Sequence, residues 1–293
     1  MSMSNTQPLF PIYVVSHNRA ENCRTPRYLR DIGVSFSIVI EKDDYDSYRD
    51  YFDADRLLTV PQRYHDDYET YDDLGDKKPN GPGPARNFAW DHAEDAGHDF
   101  HWVMDDNISY FLYYVDNHEV KAGDGTVLRA MEDFVRQYKN ISMAGPRYEM
   151  FNIKREKRPP ITANTRIYSC NLIRNDTGYE WKGRYNEDTD LSLRMLKDGW
   201  CTVLFGLLLQ KKRTTQTYSG GNTENFYSSE GTYNKSKMLK EQHPDVTTLT
   251  KKWGRWHHRV NYRPFKGNEL RKKDGPPESG NYNLSVVPRD NHD

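Results

Sequence analysis

Two periods of hydrophobic and polar positions take turns along this chain. "PIYVVSHNR" (Pro11–Arg19) is a short apolar run that ends in polar residues, which predicts a buried strand feeding a polar loop. "TPRYLRDIGV" follows as a helix, with Thr25 at its N-cap and Pro26 in its first turn. "SFSIVIE" reads as a second strand ending at Glu41, "DDYDSYRDYF" as a short helix and "RLLTV" as a third strand. A long loop over Pro61–Pro84 leads into the helix "ARNFAWDHAEDAG" and the strand "FHWVMDD". Beyond it, "TVLRAMEDFVRQY" is amphipathic and helical, and "ISMAGP" and "TRIYSCNLIR" are strands. "YNEDTDLSLRMLKDGW" starts acidic and turns helical, with Leu191 and Met195 spaced i, i+4 and Gly199 as its stop. "CTVLFGLLLQ" is again a strand. Strands alternating with helices predict an α/β fold, an open and mostly parallel sheet flanked by helices. Ligands of such sheets bind beyond the carboxyl ends of the strands, where strand order reverses.

The pattern weakens toward the C-terminus. "TTQTYSGGNTENFYSSEG" reads as a flexible loop, and the tail after Asp274 is Pro/Gly-rich and irregular. The chain divides into a core over residues 1–215 and a basic C-terminal extension over 216–293, with no internal repeats. The net charge of −1 excludes a uniformly basic nucleic-acid binder. The charge is nevertheless polarised. Glu41–Asp76 holds 13 acidic and 4 basic residues, whereas Leu207–Lys273 holds 15 basic and 5 acidic, so a polyanion would meet the C-terminal third. Mean hydropathy is −1.00. The longest apolar run, "CTVLFGLLL", is too short to span a bilayer, so no membrane partner is expected. Three scattered cysteines (Cys23, Cys170, Cys201) form no CxxC pair, and no signal sequence opens the chain; a reducing cytoplasm is the expected location. The 21 tyrosines among 293 residues suit a surface that handles a planar or sugar-like ligand as well as they suit packing.

Four constellations carry candidate chemistry. Asp105, Asp106 and Asn107 end an apolar strand, where carboxylates need a positive neighbour; clustered hard oxygens suit Mg²⁺ or Mn²⁺, and an Arg, a Lys or a helix N-terminus would also serve. "NGPGPARN" places Arg86 and Asn87 at a helix entry, whose amides favour anions. "RYNEDTDLSLRM" places Glu187 and Asp188 at a helix N-terminus, either as dipole-stabilised acids or with Asp188 as a general base. "KKWGRWHHR" interleaves Trp253 and Trp256 with Arg255 and the pair His257 and His258, a composition that can grip a base or phosphate backbone or supply a metal-binding His.

Together these residues resemble the nucleotide-sugar glycosyltransferases of the GT-A fold, over about Pro11–Arg213. "WVMDDNI" stands where that fold carries its DxD-type motif, "PARN" is similar to the Arg-containing helix entry before it, and "EDTDLSLR" to the acceptor-side helix. Among such enzymes the combination is most similar to the TET/JBP-associated glycosyltransferases, largely phage-encoded. The resemblance implies a UDP-sugar donor and Mn²⁺ or Mg²⁺ held by Asp105, Asp106, Asn107 and a C-terminal histidine, His257 or His258. It implies nucleotide contacts from Ser16, His17, Asn18, Arg19, Glu41, Arg86, Asn87 and Asp105, and catalysis by Asp188 with Glu187. The implied reaction is sugar transfer, with inversion at the anomeric carbon, onto 5-hydroxymethylcytosine or a related base in DNA, gripped by Trp253, Arg255 and Trp256. A protein or polysaccharide acceptor is the alternative. One departure from the motif is Asn107, a neutral ligand where an aspartate is usual.

Overall fold

The computed structural model describes residues 6–72, 80–152, 159–212, 232–252 and 254–275, with the backbone of 286–287. The loop read at 214–231 and the side chain of Trp253 lie outside the described residues.

In chain order the strands are β1 (Ile12–Val15), β2 (Ser37–Ile40), β3 (Leu57–Thr59), β4 (Phe100–Asp105), β5 (Ile108–Val115), β6 (His118–Ala122), β7 (Ile141–Tyr148), β8 (Ile161–Ala163), β9 (Cys170–Arg174), β10 (Cys201–Lys212), β11 (Thr247–Lys252), β12 (Arg255–Val260) and β13 (Val286–Val287). All but β11 and β12 join one sheet in the order β13-β6-β5-β10-β7-β9-β4-β1-β2-β3, with β8 also on β10. Tracing the pairings, β1 to β4, β6, β7 and β10 point one way, and β5, β8, β9 and β13 the other. The fold is thus α/β with a mixed, mostly parallel sheet, consistent with a GT-A-like architecture.

Strand alternation explains why helices cover both faces. Ile12, Val14, Trp102 and Met104 point to one side, into a core shared with helix α1 (Arg24–Asp31) and with Leu128 and Met131 of a later helix, Thr126–Val135. Tyr13, Val39 and Val103 point to the other, against an alanine stripe (Ala85, Ala89, Ala93). Between them lie two short helices, α2 (Tyr45–Arg49) and α3 (Arg63–Asp66), the latter inside the segment expected to be loop. The alanine stripe belongs to α4 (Gly83–Asp95), and Thr126–Val135 is α5. On the α4 face, Leu191 and Met195 of α6 (Glu187–Lys197) pack with Trp90, Met143 and Trp181.

The C-terminal extension is built onto this core. Helix α7 (Tyr233–Gln242) and the segment after it place Leu239, Val246 and Phe265 against Leu193 and Leu196 of α6. Asn164 donates to the carbonyls of Phe265 and Asn268, and Asn268 to those of Leu196 and Trp200. Strands β11 and β12 pair as a separate hairpin. Among the described residues no helix is long and apolar enough to cross a membrane. Cys23, Cys170 and Cys201 are buried and unbridged.

Gly145 marks a close approach inside the sheet. A Cβ there would lie 2.2 Å from the backbone oxygen of Cys170 and 2.6 Å from Ile167. Backbone cannot yield as a side-chain tip can, so Gly145→Ala is expected to cost about 3 kcal/mol, the upper end of ordinary overpacking. The denaturation midpoint should fall at unchanged m-value; an unmoved midpoint would contradict the close approach.

Candidate active site

The chain builds β1, β2 and β3 outward, then returns to place β4 on the other side of β1, so strand order reverses between β1 and β4. Val15 pairs with Asp105 across that junction. Ser16, Glu41, Asp105, Tyr148 and Lys212 therefore stand at the carboxyl ends of β1, β2, β4, β7 and β10, along one edge of the sheet.

Asp105 is the hub of that edge. Arg86 Nη2 donates to its Oδ1 at 2.9 Å, and Lys212 Nζ to its Oδ2 at 2.5 Å. Burial would raise the Asp105 pKa, but the Lys212 and Arg86 cations outweigh it and hold the carboxyl down at about 2. Lys212 is itself desolvated, yet Asp105 raises its pKa, so it stays charged. Its ammonium also donates to Ser169 Oγ at 2.7 Å, and Ser169 Oγ bonds the Tyr148 hydroxyl. Ser169 adopts φ 68°, an uncommon conformation for a non-glycine residue, and its carbonyl accepts from the Asp105 amide at 2.8 Å.

Arg86 sits at the start of α4, 3 % exposed, with its guanidinium 4.6 Å from the centre of the Trp181 ring. It bridges to the second acid cluster: Nη1 lies 3.1 Å from Glu187 Oε1, an ion pair without hydrogen-bond geometry. Arg86 Nε and Nη1 are thus buried donors with no hydrogen-bond acceptor among the described residues. The glycines of "NGPGPARN" shape this entry. Gly81 has φ 79°, and a Cβ on Gly83 would meet the Tyr68 hydroxyl at 1.9 Å. Asn87, expected at the nucleotide, is bonded to Trp181. Its amide donates to the Trp181 carbonyl at 3.1 Å and accepts from the Trp181 amide at 2.7 Å, so it anchors the ring under Arg86.

Asp106 lies in the turn after β4 and takes partners different from those of Asp105. It is buried, its Oδ2 accepts from Ser16 at 2.7 Å and its Oδ1 pairs with Arg19 at 3.2 Å. Burial raises its pKa, opposed by Arg19 and Ser16. Its carbonyl accepts the amides of Arg24 and Thr25, and Thr25 Oγ1 donates to the Asp105 carbonyl and accepts from the Ile108 amide. Thr25 therefore lies inside α1 and does not cap it; its hydroxyl locks the helix onto the Asp105–Asn107 turn.

The loop after β1 is organised by a residue that the sequence did not single out. Asp44 Oδ2 bonds His17 Nδ1 at 2.8 Å and the Asn18 amide at 3.0 Å, and Asn18 takes φ 53°. The hydrogen bond with Asp44 raises the His17 pKa, against partial burial. Glu41 pairs with His65 at 2.9 Å, which raises the His65 pKa, again against burial.

Glu187 and Asp188 open α6 after Asn186, whose φ of 56° sets the turn. Burial pushes the Glu187 carboxyl up to about 7; Arg86 opposes this, and Asp188 adds to it. Asp188 is half-buried. Its Oδ1 accepts from the Thr189 amide at 2.7 Å, and its Oδ2 has no hydrogen bond among the described residues. Farther along α6, Asp190 holds His243 and Arg194, fixing α7 beside the site. Neither His243 nor the Lys212–Ser169 pair carries a sequence signature.

No three His, Cys, Asp or Glu side chains form a metal-holding group among the described residues. His257 and His258 lie on the β11–β12 hairpin, where burial, Lys235, Arg166 and His257 lower the His258 pKa to about 4. Asn107 Oδ1 is a buried oxygen without a hydrogen-bond partner among the described residues. As arranged, Asp105 is engaged by Arg86 and Lys212, and Asp106 by Ser16 and Arg19. Arg255 and Trp256 are exposed on the same hairpin, with Trp256 edge-on to Tyr233 at 5.3 Å.

Among curated proteins no relative matches the chain. The sequence model of a family described as TET-Associated Glycosyltransferase matches residues 10–221, which span β1 to β10 and every group gathered around Asp105 and Arg86. With its strand-end carboxylate, its arginine-bearing helix entry and its acidic α6 start all inside that match, the chain belongs to the TET-associated glycosyltransferases.

Proposed function

We propose that the protein transfers a sugar from a UDP-sugar to a hydroxymethylated pyrimidine in DNA, with 5-hydroxymethylcytosine as the first acceptor to test. The observation that carries the donor side is Arg86, whose buried Nε and Nη1 have no hydrogen-bond acceptor among the described residues, Nη1 meeting Glu187 only as an ion pair. Unsatisfied buried donors on a charged group are costly, and a diphosphate oxygen would satisfy them. Ser16, His17, Asn18, Arg19 and Glu41 border the same edge and would meet the nucleoside. In this reading the cations that face the departing diphosphate are the protein's own, Arg86 and Lys212.

The acceptor hydroxyl attacks the anomeric carbon as the bond from that carbon to the diphosphate oxygen breaks. The hydroxyl proton passes to Asp188 Oδ2, and the bonding pair leaves with UDP. In-line attack inverts the anomeric centre. Incubating DNA that contains 5-hydroxymethylcytosine with a panel of UDP-sugars and weighing the nucleosides by mass spectrometry tests the function. A hexose or pentose mass increment on the modified base is expected. UDP-sugar hydrolysis without any increment on DNA would reject DNA as the acceptor.

A further inference from the structure

One cavity beside the site is lined by none of the residues assigned to the donor. It has a volume of about 200 Å³ and is lined by Arg147, Tyr148, Phe151, Arg166, Tyr168 and Leu204 among others. That is below the ~300–1,000 Å³ usual for drug-sized ligands, so it is too small for a nucleotide-sugar and suits a single ring.

Its walls are aromatic. The Tyr148 and Phe151 rings stack at 5.8 Å with 13° between planes, and Tyr168 meets Tyr148 edge-on at 4.6 Å. Phe151 is 48 % exposed, so part of this wall faces solvent. Its charge is positive: Arg166 lies over the Tyr168 ring at 5.0 Å, and Arg147 reaches Thr162 Oγ1 at 3.2 Å.

Its floor is continuous with the catalytic groups. Tyr148 bonds Ser169, which bonds Lys212. Burial raises the Tyr148 pKa, opposed by Lys212, with Asp105 and Asp188 adding to the rise.

Building on the proposed function, we propose that this cavity receives the acceptor base itself, a pyrimidine swung out of the duplex, stacked on the Phe151–Tyr148 wall with its flanking phosphates met by Arg147 and Arg166. A base within a duplex cannot reach a pocket of this kind, so extrusion is required. Aromatic rings take any base by its face, and arginine supplies the phosphate contacts. The basic hairpin with Arg255 and Trp256 then contacts DNA outside the pocket, not the reacting base.

The test uses the full chain and a duplex carrying one 5-hydroxymethylcytosine beside a 2-aminopurine, whose fluorescence rises when its neighbour leaves the stack. Wild-type protein is expected to raise that fluorescence. Phe151→Ala and Arg166→Gln, both at exposed or half-exposed positions, should each reduce the rise and increase the DNA KM at least about tenfold. UDP-sugar hydrolysis without DNA should be unchanged. Transfer by both variants with wild-type KM and fluorescence would overturn the pocket while leaving the function intact. Equal loss of hydrolysis in both would assign the cavity to the donor and also overturn it. A wild-type enzyme that hydrolyses donor but never modifies DNA would instead reject the function on which the proposal rests.

Discussion

Asp188→Asn is expected to lower kcat by ~10²–10⁴-fold, the usual contribution of a positioned general base, with donor affinity unchanged. A hydroxymethyl group is a weak nucleophile until its proton is removed. Asp188 has one oxygen committed to the Thr189 amide and the other without a hydrogen bond among the described residues. Asparagine keeps the shape and the bond to the Thr189 amide, and it is well tolerated at helix starts, so the fold should survive. It cannot take the proton. In the proposed function donor binding rests on Arg86 and the β1 loop, which the substitution does not touch. Glu187→Gln should cost less, because Glu187 is turned to Arg86 and acts on charge balance. If Asp188 served only to start α6, the Asn variant would turn over at nearly the wild-type rate. Measuring kcat on 5-hydroxymethylcytosine DNA with a folded variant separates the two.

The features legible in the sequence are local ones. The strand before Asp105, the helix entry at Arg86 and the acid start of α6 each lie within one short window of residues with a clear period, and the structure forms all three. The β5–β6 hairpin directly after Asn107 was also within reach. The apolar "ISYFLYYV" and the alternating "HEVKA" flank Asp116–Asn117, and both turn residues take positive φ, 48° and 64°, as a two-residue hairpin turn of this kind requires. The pairing β11–β12 is similar: charge and tryptophan draw attention to "KKWGRWHHR", while its strand alternation is easy to pass over.

What escaped the sequence is long-range. Lys212 ends the strand "CTVLFGLLLQKK" and looks like a solvated flank, yet β10 runs parallel to β7 and brings it 2.5 Å from a carboxylate 107 positions earlier. Ser169 has no motif, and its role depends on a positive φ that no local propensity predicts. The different partners of Asp105 and Asp106 are also set by long-range packing, since β4 ends at Asp105 and Asp106 lies in the turn after it. Lys212 and Arg86 are the positive neighbours that carboxylates at a buried strand end require.

Lys212→Gln is the second large effect expected. Lys212 is held by Asp105 and Ser169 and remains charged despite burial. A fixed cation beside a departing diphosphate stabilises charge that develops only as the bond breaks. Removing one such donor typically costs ~10²–10³-fold in kcat. Wild-type enzyme should therefore keep its transfer activity in EDTA, while the Gln variant loses activity in about that range. Lys212→Arg should recover part of it, since a cation is restored on a differently shaped head. In the Gln variant one oxygen of Asp105 is released near Asn107, whose buried Oδ1 has no hydrogen-bond partner. Hard oxygens of that kind suit Mn²⁺, so added Mn²⁺ should stimulate the Gln variant more than the wild type. Thermal melting of each variant controls for folding. If EDTA silences the wild type and Mn²⁺ restores it, a divalent ion carries the counter-charge, and Lys212 does no more than neutralise Asp105.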